Sequence, residues 1–359
     1  MSNDMLITSV EQVNELWLTH ILEASGALYQ GRVTKVDMLI DARELSTSVR
    51  LGITYSEDAT GSKPTKLFLK LVTLDMEDEF FGPSEVNYYQ RDYVGIHDAP
   101  IPRTYDAVYS EKQGRYHILM DDLSDTHMTA RDRMPTLGYG MALAESLATL
   151  HAHWWGKIRL SEIDEHIPDA QAIQEFTDMG KLGASFIIAT CEDELKAHWP
   201  EVINRIYVSH PHLMVQRTQD DVGFTLIHGD MNRNNILVPI NGERPLYLID
   251  RQPFNWSLTV WLAVYDLAYA MVLYWDVKIR RALETHVLRH YHKCLIRQGI
   301  TAYTWEQLWD DYRLCAMMGV YVATEWCRSQ LNMDTHQYWM PMLQRTLTAV
   351  DDLQAANLL

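Results

Sequence analysis

The side chains best suited to chemistry lie in the segment Leu226-Ile-His-Gly-Asp-Met-Asn-Arg-Asn-Asn-Ile-Leu-Val238. Asp230 and Asn235 stand in its polar middle, between two short apolar runs, and Asp250 ends the strand-like run Leu246-Tyr-Leu-Ile-Asp250. A carboxylate at 230 can orient an attacking hydroxyl and take its proton. The amide oxygen of Asn235 and the carboxylate of Asp250 are hard donors of the kind magnesium prefers, with phosphate and water completing the shell. Phosphoryl transfer asks for little more than such positioning and charge neutralisation. The competing reading is a polar turn with accidental spacing, and the second aspartate at the end of a following strand argues against it.

These residues need a scaffold to hold them. A chain of 359 residues exceeds one average domain and predicts two lobes. Residues 9–25 have helical apolar spacing, with Ser9 as cap and Gln12 three residues on. Residues 33–40, 48–55, 66–72, 105–110 and 115–121 read as strands, with a helix beginning near Ser84 after Gly82-Pro83. Beyond Leu123 the pattern is helical almost throughout, interrupted only at 224–250. The expected division is a strand-rich lobe over 1–121 and a helical lobe over 122–359.

The His228–Leu237 motif, followed by Leu248-Ile-Asp-Arg-Gln252, resembles the catalytic and metal-binding loops of the aminoglycoside phosphotransferase and choline kinase group. The ecdysteroid-kinase-like branch is the nearest. Further features similar to it are Gln12-Val-Asn-Glu15, Glu85 with Tyr89, Ile118-Leu-Met-Asp-Asp-Leu123, Leu150-His-Ala-His-Trp-Trp155 and Asp266-Leu-Ala268. The resemblance implies an α+β, protein-kinase-like bilobal fold, with a small antiparallel-sheet N-lobe and a large helical C-lobe. It also implies a kinase that uses ATP and Mg2+ to phosphorylate a hydroxyl of a small molecule. The acceptors open to it are an antibiotic, an amino alcohol, a sugar or a steroid-like alcohol. A catalytically silent nucleotide-binding scaffold is the alternative; silent relatives tend to lose the key Asp, Asn or Lys, and all are present here.

Within that resemblance Lys70, flanked by Leu69 and Leu71, takes the place of the phosphate anchor, held by Glu85 on the following helix. An edge-strand lysine is the plainer alternative for Lys70, and Lys66 competes for the anchor. Ser46, Thr47 and Ser48, in the glycine-free connection between the first two strands, are candidates to cover the phosphates; an ordinary hairpin turn explains them equally well. Met120, Asp121, Asp122 and Leu123 resemble the hinge whose backbone recognises the purine, which accommodates ATP and GTP alike. His228 reads as a support for the loop, and Asp266 as the start of a buried helix that ties the loop down by hydrogen bonds. Arg233 and Arg251 depart from the group's pattern and read either as phosphate or acid partners or as solvated side chains.

Composition narrows the choices further. A net charge of −17 argues against a nucleic-acid binder. Four scattered cysteines exclude a disulfide framework or zinc cluster and fit a reducing compartment. The absence of any basic residue before Arg32 predicts a cytoplasmic start. From Trp256 to Trp275 only Asp266 is charged; a lone carboxylate there is costly in a bilayer, so the run reads as a buried helix and no membrane partner is expected. His151/His153 and His290/His292, two apart, point to different helix faces and cannot share an ion. Trp305, Trp309, Trp326 and Trp339, with Asp310, Asp311 and Glu325 nearby, would suit an acceptor pocket, with core packing as the default reading. Fifteen residues between Asp250 and Asp266 leave no space for the long activation segment of a protein kinase.

Overall fold

The computed structural model describes residues 6–43, 46–72, 81–96, 98–242 and 245–359. They form two compact units, Met1–Met128 with Leu237–Asn255, and Thr129–Ile236 with Trp256–Leu359. Asp250 thus belongs to the first unit, and Asp230 and Asn235 to the second.

The first unit is built on a five-stranded antiparallel sheet in which Val33–Ala42, Ser46–Tyr55, Lys66–Val72, Arg115–Asp121 and Thr104–Ser110 lie side by side in that order. The apolar residues fall at every second position, as a half-covered strand requires. Val49, Leu51, Ile53, Leu67, Leu69, Leu71 and Leu119 pack on one face against Trp17, Leu18, Ile21 and Leu22 of the helix Glu15–Ala24. That helix begins later than Ser9. Gln12 accepts from the Ser9 N–H at 3.0 Å within a 3-10 turn, Val13 is extended, and Asn14 is the cap, its Oδ1 accepting from the Leu16 and Trp17 N–H groups at 3.0 Å each. A side chain that satisfies two orphan helix donors sets the start more firmly than one that closes a single turn.

The second unit packs the helices Leu137–His153, Trp199–Arg217, Val277–Arg297, Trp305–Glu325 and His336–Asp352, with shorter helical pieces between them. Gly183 lets the Lys181–Thr190 helix lie against Trp305–Glu325, since a Cβ there would stand 2.0 Å from the Thr324 carbonyl oxygen. The Trp256–Trp275 run is not the single buried helix its composition predicts. Val260–Leu262 is a strand paired antiparallel with Phe224–Leu226, and only then come the turns Tyr265–Ala268 and Tyr269–Leu273. Both pieces are buried on all sides, so every position but Asp266 is apolar or aromatic and the change of period leaves no trace in the sequence. Among the described residues no helix is long and apolar enough to cross a membrane.

Candidate functional site

The candidate residues of the first unit gather around Lys70. Its strand is third of the five, so the edge-strand reading fails. Lys66, its competitor, is half exposed and bonded to Asp125 at 2.6 Å. Register pairs Lys70 with Ser48 on one side and Ile118 on the other, all on the face away from the apolar core. Lys70 Nζ lies 2.7 and 2.9 Å from the two oxygens of Glu85, which is fully buried, and 3.2 Å from Asp250 Oδ1. The Tyr116 hydroxyl donates to the second Glu85 oxygen. Burial pulls the Lys70 pKa down, but the carboxylates of Asp250 and Glu85 outweigh it and hold the ammonium above its ordinary range. Burial pushes Glu85 up to about 7 against the opposing pull of Lys70. The ammonium is the firmly charged member of the pair.

Asp250 has φ 59°, in the left-handed region that short polar residues tolerate best. Its N–H donates to the Tyr89 hydroxyl at 3.1 Å, and the Tyr88 hydroxyl donates to the Leu248 carbonyl at 3.2 Å, so the segment after Ser84 fixes the peptide that bears Asp250. Arg251 is not a solvated side chain: it is buried, with Nη1 donating to buried Asp92 at 2.6 Å. Ser46 and Thr47, expected in the connection, lie in the Ser46–Tyr55 strand. Alternation puts Ser46 and Ser48 on the face of Lys70 and Thr47 on the opposite one. Glu44 and Leu45 lie outside the described residues. Met120 and Asp121 end the Arg115–Asp121 strand, with the Asp121 carboxylate taken by the Tyr105 hydroxyl at 2.7 Å. The Leu123 carbonyl accepts from the Thr126 and His127 N–H groups, which closes a turn directly after the strand.

The candidate residues of the second unit gather around Asp230. The strand Phe224–Leu226 leads into the loop and its partner Val260–Leu262 leads to Asp266, which brings Asp266 beneath the loop. Asp266 Oδ2 accepts from the His228 N–H at 2.7 Å and Oδ1 from the Gly229 N–H at 2.9 Å. His151 Nε2 donates to Asp266 at 3.0 Å, while His151 Nδ1 lies 2.7 Å from the Tyr291 hydroxyl. Burial pushes the Asp266 pKa up, yet His151 and the loop bonds outweigh it and hold it below the usual carboxylate range. Asp230 Oδ1 accepts from Tyr269 at 2.9 Å and from Asn232 at 2.9 Å, and Oδ2 from Asn235 Nδ2 at 2.9 Å. Asn235 Nδ2 also reaches the Asp230 carbonyl at 2.9 Å, so the atom able to ligate a cation is its Oδ1. The buried His228 ring lies against the loop, Nδ1 at 3.4 Å from the Asp230 N–H.

Tyr269, Tyr116 and Asn232 escaped sequence reasoning, and Tyr89 entered only as part of the resemblance, without a role. Tyr269 alone left a signal, since it follows Asp266 by three residues and shares its helical face. The tryptophan cluster is no acidic pocket. Trp339 is fully buried, Asp311 is bound by Arg217 at 2.7 Å, Asp310 by Arg313 at 3.1 Å and Glu325 by Arg328 at 3.1 Å. The histidine pairs point apart: His290 meets Glu145 at 2.7 Å, whereas His292 meets the Tyr303 carbonyl at 2.8 Å. Cys294 joins Glu145 and His290 in a group whose ligand atoms lie within 4.8 Å of one another. Arg297 donates to Cys294 at 2.9 Å and stands 4.0 Å from Glu145, bringing the positive charge a metal would otherwise supply.

An antiparallel-sheet unit carrying a lysine–glutamate pair and a larger helical unit carrying an Asp–Asn loop define the protein-kinase-like fold. The same fold is seen in Plasmodium vivax ethanolamine kinase (TM-score 0.54, 12% identity, 89% of this chain and 81% of that one). It is also seen in spectinomycin phosphotransferase, solved with ADP and spectinomycin (TM-score 0.53, 12% identity, 96% and 99% of the two chains). A glucosamine kinase shares it as well (TM-score 0.52, 12% identity, 97% and 85%). The sequence matches the Ecdysteroid kinase-like family over residues 85–300, more than half of the chain, and the protein belongs to that family. No curated protein matches it in sequence.

Proposed function

We propose that the protein is a small-molecule kinase that transfers the γ-phosphoryl group of ATP, or of GTP, to a hydroxyl acceptor in the presence of Mg2+. The observation that carries this reading is the setting of Asp230: three donors hold its two oxygens, yet it has no ion-pair partner among the described residues. A carboxylate so fixed is suited to orienting a hydroxyl. As the bond from acceptor oxygen to γ-phosphorus forms and the β–γ bridging bond breaks, Asp230 takes the hydroxyl proton, and the nucleoside diphosphate departs.

Lys70 and Glu85 serve as the phosphate anchor, with the hydroxyls of Ser46 and Ser48 on the same face of the sheet. Purine recognition falls to the backbone of Met120–Leu123, at the end of the Arg115–Asp121 strand. Asn235 and Asp250 are the metal ligands in this reading. The donor chemistry fits a hard cation, because Asn235 offers Oδ1 and Asp250 a partly exposed carboxylate. Magnesium would supply charge neutralisation on the phosphates.

The test is magnesium-dependent ADP release with a panel of hydroxyl compounds, comparing wild type with Asp230→Asn. The variant should lose about 10²–10⁴ in kcat while keeping its melting temperature. Full turnover in Asp230→Asn would remove Asp230 from the chemistry, and no turnover with any acceptor would favour the silent scaffold.

A further inference from the structure

The neighbourhood of Asp230 in the second unit contains positive charge that the transfer chemistry above does not use. Asp230 accepts from Tyr269, and the Tyr269 ring packs on Tyr274 with centroids 5.9 Å apart. Arg345, on the helix His336–Asp352, donates to the Leu273 carbonyl at 3.1 Å, which fixes its guanidinium beside Tyr274. Arg233 sits at the tip of the turn closed by the Asn234 N–H on Asn232 Oδ1 at 2.8 Å and the Asn235 N–H on the Asn232 carbonyl at 3.1 Å. Both arginines are half-buried. Neither has a carboxylate within ion-pair distance among the described residues; most other half-buried arginines of this unit, such as Arg217, Arg313 and Arg328, do have one.

The two charges are felt locally. Burial pushes the Tyr274 phenol up, Asp230 adds to that, and Arg233 and Arg345 both pull it back, so all three charged groups act on one hydroxyl. Burial lowers Arg345, and the like charge of Arg233 lowers it further against the weaker opposite effect of Asp276. Asp276 is itself engaged as the cap of Val277–Arg297, accepting from the Lys278 N–H at 2.9 Å. Arg345 reaches this neighbourhood through the Leu273 carbonyl and Arg233 through the loop that carries Asp230, and half-buried guanidiniums without a carboxylate partner suit an oxyanion through charge-assisted hydrogen bonds.

We propose that Arg233 and Arg345 form an oxyanion subsite at the acceptor end of the Asp230 site, so that the alcohol phosphorylated there also carries a carboxylate, sulfate or phosphate group. The proposal rests on the kinase reading above and narrows its acceptor class. Amino alcohols and amino sugars are disfavoured, because their ammonium would meet the like charge of the two guanidiniums.

The experiment uses alcohols matched in skeleton and differing in charge: glucuronate, glucose and glucosamine, together with a sterol alcohol and its carboxylate derivative. ADP release is measured for wild type, Arg345→Gln, Arg345→Lys and Arg233→Gln. The expected result is a kcat/KM preference of at least about tenfold for the anionic member. Arg345→Gln should abolish that preference by raising the acceptor KM while the KM for ATP stays in place, and Arg345→Lys should restore part of it. Preference for the amine, or an unchanged preference in Arg345→Gln, overturns the proposal. A rise in the KM for ATP alone in Arg233→Gln assigns that residue to the nucleotide and likewise overturns the pair. If no compound is turned over, the kinase reading fails separately, and the subsite is read by titrating inorganic sulfate into nucleotide-free protein. Binding weakened at least about tenfold in Arg345→Gln then supports the subsite, and equal binding refutes it.

Discussion

Replacing Asp266 by asparagine removes one charge and one acceptor from the point where three bonds converge. With the amide oxygen in the Oδ2 position, the bonds from His228 and His151 survive. The amide nitrogen then faces the Gly229 N–H, two donors about 2.9 Å apart. The opposite orientation sets donors against both His228 and His151 and is worse. Even the milder arrangement forfeits a charge-assisted bond, roughly 1.5–3 kcal/mol, and leaves a buried N–H unsatisfied at roughly 1–3 kcal/mol. Because Asp266 is fully buried, water cannot compensate, and Asp266→Asn should lose about 3–5 kcal/mol of unfolding free energy. Urea denaturation at neutral pH should show a lower midpoint with an unchanged slope, and hydrogen exchange should show faster opening at Gly229. Phosphoryl transfer should fall with it, since the same bonds hold the loop that carries Asp230. A variant within about 1 kcal/mol of wild type, with Gly229 still protected, would refute the claim that Asp266 holds the loop.

Lys70→Met should raise the KM for ATP at least tenfold by about 1.4 kcal/mol or more of lost binding, and unchanged ATP kinetics would move the phosphate anchor elsewhere. It should also destabilise the first unit by about 3–5 kcal/mol, because Glu85 is left buried without its cation, and adding Glu85→Gln should recover much of that loss. His210 is buried, with Nε2 donating to the Leu314 carbonyl at 3.0 Å and Nδ1 accepting from Tyr321 at 2.9 Å, and burial lowers it to about 4. Between that value and the unfolded pKa near 6.5 the unfolded chain binds the extra proton. Stability should therefore be full above about pH 6.5 and decline as pH falls toward 4, by about 3 kcal/mol in all. Denaturation midpoints measured across that range should lose this slope in His210→Gln; an equal slope in both proteins would assign the acid sensitivity to other groups.

The sequence carried the sheet unusually well. The strands at 46–55 and 66–72 alternate most clearly, because one face packs on a helix, and the other three read as strands from β-branched and aromatic content between turn signals. Asp266 was legible as a charge with no reason to stand in an apolar run unless it bonds something buried. Other features depend on partners far along the chain. Arg251 finds Asp92 and Asp250 finds Tyr89 across some 160 residues, and no local spacing marks either pairing. The strand at Val260–Leu262 was hidden by complete burial. The return of residues 237–255 to the first unit was hidden too, since compactness is a property of contacts and not of sequence order. The start of the first helix was missed for a smaller reason, two capping residues competing within six positions.

The tether on Asp250 bears on how such an enzyme can be controlled. Swinging the backbone that bears that carboxylate away from Lys70 would have to release its N–H from Tyr89 and would pull on the neighbouring buried bond between Arg251 and Asp92. Breaking a buried ion pair of that kind costs about 3–5 kcal/mol, so a withdrawn conformation would be held by fewer than about one molecule in a hundred. For the kinase proposed above, this means that the backbone at Asp250 has no built-in off position, so control by the supply of its substrates is the expectation.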